Sequence, residues 1–186
     1  MKNIVVIGAG AWGSALAQAG SIAGHQVHLI GRDKNVVDEV NNSHQNRRYL
    51  GDLQLESSIV AGCDFEALRG ADMVILGVPA QATRGVLGGL EGKLKRHIPV
   101  VVTAKGFEKS TLALQSQIVG EEWKSAQVIV LSGPSFAKDV AGKKPTAVTM
   151  AGDNQQVLSK VIGWLSSQVL RPYASGDVVG VQLCGG

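Results

Sequence analysis

The sequence predicts an α/β fold: a doubly wound, mostly parallel sheet covered by helices. Three observations carry this. Short β-branched runs alternate with stretches of helical periodicity from one end to the other, as βαβ units do. The runs are apolar at successive positions, as strands buried on both faces are. Apolar residues make up 45% of the 186 residues and charged residues 18%, which supplies a sizeable core.

Each element follows from its own pattern. Ile4-Val5-Val6-Ile7 is a buried strand. Ala15, Leu16, Ala19, Ile22 and Ala23 then recur at helical spacing up to Gly24, a stop signal. Val27–Ile30 is the second strand, and a short helix is expected over Asp33–Ser43. The stretch from Gln45 to Gly62 has no clear period. Asp72–Leu76, Pro99–Val102 and Val128–Leu131 are further strands, separated by helical patterns near 80–95 and 110–123. Thr146–Met150, Asn154–Ser167 and Val169–Ala174 read as strand, helix and strand.

Composition excludes several classes. Glycine occurs 24 times, about 13% and roughly double average usage, but without a three-residue period. With only 5 prolines, collagen and low-complexity readings fail. A net charge of +3 without aromatic-spaced basic runs gives no reason to expect nucleic acid as a partner. Cys63 and Cys184 form neither a metal motif nor a disulfide framework, so a reducing cytoplasm is expected. His25, His28, His44 and His97 lack ligand spacing, and no metal is expected. The uncharged stretch after Lys2 resembles an export signal, but Gly8, Gly10 and Gly13 break it too early, and no membrane insertion is expected.

In an open parallel sheet, ligands bind at the carboxyl ends of the strands. Five places follow apolar runs: Gly8–Gly13, Arg32, Gly77–Pro79, Lys105-Gly106 and Ser132–Ala137. All five are expected along one sheet edge.

Gly8-Ala9-Gly10-Ala11-Trp12-Gly13 matches G-x-G-x-x-G between a strand and a helix. The first glycine allows the tight turn, the second lets backbone approach a pyrophosphate, and the third lets helix pack on strand. Helix amides and the helix dipole then favour anionic phosphates. This context predicts a Rossmann-type NAD(P)-binding domain. Trp12 is either a half-buried packing aromatic or a wall beside the cofactor.

The end of the second strand reads Gly31-Arg32-Asp33. An acidic residue there suits a ribose 2′-hydroxyl, and an arginine suits a 2′-phosphate. Arg32 therefore favours NADP, Asp33 keeps NAD in play, and a solvated surface arginine is the bland alternative.

Lys105 ends a buried strand with Gly106 behind it, a pattern that serves a binding site or an ordinary exposed loop. Ser132-Gly133-Pro134-Ser135 gathers two hydroxyls, a glycine N–H and a proline-fixed turn, which suits a small anionic or polyhydroxylated ligand. Its structural alternative is a serine-capped helix start. It is not a G-x-S-x-G nucleophile elbow.

Taken together, these residues resemble the bacterial-type NAD(P)-dependent glycerol-3-phosphate dehydrogenases. The resemblance rests on Gly8–Gly13, Arg48-Tyr49-Leu50, Val78-Pro79 and Ala104-Lys105-Gly106. It continues through Leu131–Ala137, Pro145-Thr146-Ala147 and Asp177–Leu183. It implies reversible hydride transfer between NAD(P)H and dihydroxyacetone phosphate, giving sn-glycerol 3-phosphate for phospholipid synthesis. It also implies that Ala11, Trp12, Arg32, Lys105 and Ala137 contact the nucleotide, beside Gly8, Gly10 and Gly13 of the fingerprint. Lys105, Gly133 and Ser135 would contact the substrate, with Lys105 polarising its carbonyl. A homodimer is compatible with this reading.

Two departures stand out. Ala11 replaces the family's usual serine, removing one side-chain hydrogen bond while leaving the backbone N–H. The family's catalytic lysine and helical second domain are expected beyond Gly186. Residues 1–176 are accordingly expected to form the dinucleotide-binding domain, and residues 177–186 a stub of the next. The 186 residues alone are expected to bind dinucleotide but turn over poorly. Rival readings are a ketopantoate or β-hydroxyacid-type reductase, against which Ser132–Ala137 argues, and a non-catalytic NAD(P)-sensing module.

Overall fold

A computed structural model describes residues 1–90 and 92–184. Eight strands form one sheet in the order β3-β2-β1-β4-β5-β6-β7-β8. They are β1 (Asn3–Ile7), β2 (Gln26–Ile30), β3 (Ile59–Gly62), β4 (Met73–Leu76), β5 (Pro99–Val102), β6 (Gln127–Ser132), β7 (Thr146–Ala151) and β8 (Leu170–Ser175). Every neighbouring pair is parallel except β6 and β7. The doubly wound, Rossmann-type α/β class is therefore the one the sequence predicts.

Helices cover both faces: α1 (Ala11–Ile22), α2 (Lys34–Ser43), α3 (Arg47–Leu50), α4 (Thr83–Gly88), α5 (Gln115–Glu122), α6 (Ala137–Ala141), α7 (Gln155–Leu165) and α8 (Val178–Leu183). Strand alternation divides the core in two. Ile4, Val6, Met73 and Ile75 face Leu16, Val40, Val140 and Val161. Val5, Ile7, Val74 and Leu76 face Leu87, Ile118 and Trp123. Buried on both sides, these strands must be apolar at every position, which is the pattern seen in the sequence.

The pattern-poor stretch after Gln45 is fixed by long-range contacts. One polar stripe of α1 receives it: Ser14 accepts from Asn46, Gln18 accepts the Glu56 N–H, and Ser21 bonds Ser58. Residues 14, 18 and 21 lie one and two turns apart on one helix face. The segment ends in β3, a four-residue edge strand that the sequence does not reveal.

Two helical expectations shrink. Among the described residues the 80–95 pattern yields a 3-10 turn at Ala80–Ala82 and the six-residue α4, because Gly88, Gly89 and Gly92 favour turn over helix and Gly92 has φ +75°. The 110–123 pattern begins at Gln115, since Leu112 stands at φ +59°.

Candidate functional site

The chain goes from β1 out to β2 and β3, then returns to the other side of β1 at β4, so the topological switch lies between β1 and β4. Both strands end there in glycine. Gly8 has φ +115°, and a Cβ on it would sit 2.7 Å from the Gly77 carbonyl carbon and oxygen. A Cβ on Gly13 would sit 1.8 Å from the Gly8 oxygen. These two glycines let strand, turn and helix close on one another. Gly10 differs, for a Cβ on it would meet nothing within 4 Å. It is the N-cap of α1, without a side-chain capping bond. Ser14 is the first residue of α1 to donate a helical bond, to the Gly10 oxygen. The Ala11, Trp12 and Gly13 amides precede it, where a helix leaves N–H groups for a ligand. Open space over a helix start is what a pyrophosphate requires, so the residues present fit that group.

All five segments expected at the carboxyl edge follow mutually parallel strands, β1, β2, β4, β5 and β6, and so lie along that edge. Trp12 is half-buried and packs on the main core from the start of α1. Arg32 is exposed past the end of β2. Asp33 caps α2 by accepting the Asn35 N–H at 3.0 Å, and its second oxygen accepts from Arg48 Nη1 at 2.7 Å. Lys105 is exposed just beyond β5, followed by Gly106 at φ +86°. Beneath them the Thr103 hydroxyl donates to the Leu76 carbonyl at 2.7 Å, tying the ends of β5 and β4.

Gly133 is pressed against β7, with its Cβ direction 3.3 Å from the Ala147 oxygen. Because β7 runs antiparallel to β6, its first residues enter the same edge. The Ser135 N–H turns back onto the Gly133 carbonyl at 2.9 Å. Helix α6 opens at Ala137 with Phe136 as N-cap and no side-chain cap, so a serine-capped start does not describe this turn.

Sequence reasoning overlooks several supporting residues. Asn46 is fully buried and donates to the Ala9 carbonyl at 3.1 Å and the Ser14 hydroxyl at 2.8 Å, clamping the glycine turn. Arg84 binds Glu108 in the loop after Lys105, and Gln81 donates to the Phe107 carbonyl of that loop. No local pattern marks these residues, since each partner lies on another element.

A family model described as NAD-dependent glycerol-3-phosphate dehydrogenase N-terminus matches residues 3–158. The chain is 44% identical over 184 residues to a glycerol-3-phosphate dehydrogenase (NAD(P)+) of Chelativorans sp., covering 98% of this chain and 56% of that protein. It is 41% identical to one from Parvibaculum lavamentivorans, covering 99% and 55%. The crystal structure of glycerol-3-phosphate dehydrogenase from Coxiella burnetii superposes with a TM-score of 0.92 at 32% identity, covering 99% of this chain and 57% of that one. The chain thus spans little more than half the length of these proteins.

Proposed function

Since the chain belongs to the NAD-dependent glycerol-3-phosphate dehydrogenase family, we propose that it is the dinucleotide-binding part of an oxidoreductase interconverting dihydroxyacetone phosphate and sn-glycerol 3-phosphate. The observation that carries this reading is the glycine contact across the switch point, with space left open over Gly10. NADP or NAD would lie there, NADP being favoured by Arg32. Gly8, Gly10, Ala11, Trp12 and Gly13 would hold the pyrophosphate side, with Lys105 and Ala137 further along the edge. Bound, the reduced cofactor would supply a hydride.

The chain's own residues orient and polarise. The Lys105 ammonium would face the substrate carbonyl oxygen and hold the charge that grows there. Gly133 and Ser135 would fix the substrate beside it, since alignment of the two reactants supplies much of the rate. Residues 1–176 form the dinucleotide unit in this proposal, and residues 177–186 begin a second one. Gly185 and Gly186 lie outside the described residues. The enzyme would work in the cytoplasm on a small phosphorylated substrate. No helix among the described residues is long and apolar enough to cross a membrane.

Titration of the chain with NADPH, followed by nicotinamide fluorescence, should show saturable binding that Lys105→Ala weakens about tenfold, the loss of one charge-assisted contact. Dihydroxyacetone phosphate should perturb that fluorescence and ketopantoate should not. Absence of saturable binding would refute the cofactor reading, and the opposite substrate preference would refute the substrate reading.

A further inference from the structure

Helices α2 and α3 and the residues that flank them carry four ion pairs past the carboxyl end of β2, and their cations are not equivalent. Lys34 is paired with Asp38 at 2.8 Å. Arg47 lies between Glu39 at 3.3 Å and Asp52 at 3.8 Å. Arg48 meets Asp33, whose other oxygen already caps α2. The contact is single-pronged: among the described residues Arg48 bonds through Nη1 alone, so Nε and Nη2 are left for another acceptor. The guanidinium also lies 5.4 Å from the Tyr49 ring centroid. Arg32 is the chain neighbour of Asp33 and is exposed, with no ion pair among the described residues.

Both Asp33 oxygens are therefore engaged within the chain. Asp33 tethers, beside Arg32, a second arginine that arrives from 15 residues further along the chain. We infer that Arg48 is a specificity-determining residue, sharing with Arg32 the 2′-phosphate of NADP through the unused prongs of its guanidinium. A guanidinium held on one side and open on the other suits a phosphate, because its donors match two phosphate oxygens at once. A dinucleotide with a bare 2′-hydroxyl gains nothing from Arg48, which then remains on Asp33. The inference rests on the dinucleotide reading above.

Fluorescence titrations of NADPH and NADH against the wild-type chain, Arg48→Ala, Arg48→Glu and Arg32→Ala test it. Arg48→Ala should weaken NADPH about tenfold while NADH changes by less than about twofold, a selective loss of one phosphate contact. Arg48→Glu should weaken NADPH further. Added salt should erode the wild-type preference for NADPH and have less to erode in either Arg48 variant. NADH affinity is the internal control for folding, since a merely structural arginine would change both dinucleotides together. Equal losses for the two, or an unchanged NADPH affinity in Arg48→Ala, would overturn the role of Arg48 while leaving the dinucleotide reading intact. A wild-type chain that binds neither dinucleotide would overturn both.

Discussion

Arg84 on α4 lies across the carboxylate of Glu108, with Nε 2.9 Å from Oε1 and Nη2 2.9 Å from Oε2. The pair joins the segment after β4 to the loop after β5, the loop that carries Lys105. Glu121 and Glu122 take the remaining guanidinium positions at 2.8 Å each. A second layer supports it: Thr83 donates to Gln115 at 2.7 Å, and Gln115 donates to the Gly106 carbonyl.

Hydrogen bonds from Arg84, and then from Thr111, hold the Glu108 carboxyl below its ordinary range. Folding thus favours the ionised form. The stability it contributes is full above the unfolded value of about 4.3 and is lost as pH falls through the lower folded value. Glu108→Gln should lower the thermal midpoint by several degrees near neutral pH. That gap should narrow as pH falls from about 4.3 through the lower folded value, where the wild-type carboxylate protonates too. A gap independent of pH, measured by scanning calorimetry, would contradict the assignment.

Two glycines of one motif should fail in different ways. Gly13→Ala places a methyl group 1.8 Å from the Gly8 oxygen, where the neighbour is backbone. It should cost about 3 kcal/mol or more, read from chemical denaturation. A Cβ at Gly10→Ala meets nothing within 4 Å beyond its chain neighbours, and its φ of −79° suits alanine. Its thermal midpoint should stay within about 2 °C of wild type, while NADPH affinity falls about tenfold or more. A Gly10→Ala protein that binds normally would show that the open space is not the pyrophosphate seat.

Asn46→Ala should destabilise the chain by about 1–3 kcal/mol, because the Ala9 carbonyl and Ser14 hydroxyl lose a buried partner. Hydrogen exchange should also quicken at the amides of the glycine turn, which Asn46 clamps. A loss of global stability with unchanged exchange there would mean that Asn46 acts only on its own segment.

The strands from Ile4 to Ile7 and from Val27 to Ile30, with the helix between, were legible because each is set by its own periodicity. The same holds for the Asn154–Ser167 helix, trimmed to Gln155–Leu165 behind an Asn154 side-chain cap. Strand β3 was not legible, being four residues long and fixed by pairing Ile59–Gly62 with Val27–Ile30. The reversed direction of β7 was equally hidden, since an apolar run carries no arrow. Its consequence is functional: it brings Ala147 against Gly133 at the edge where Ser135 stands.

By itself, then, the sequence determined the alternating α/β plan, the glycine turn, and the candidate positions that follow each strand. These depend on backbone conformation and burial within a few residues, which local spacing encodes. Only the tertiary structure decided that Asn46 clamps the Gly8–Gly13 turn, that Arg48 stands on Asp33 beside Arg32, and that Arg84 grips the loop behind Lys105. Those partners lie 37, 15 and 24 residues apart in the chain. A hydrogen bond across that separation follows from how helices settle on the sheet, and no periodicity records it.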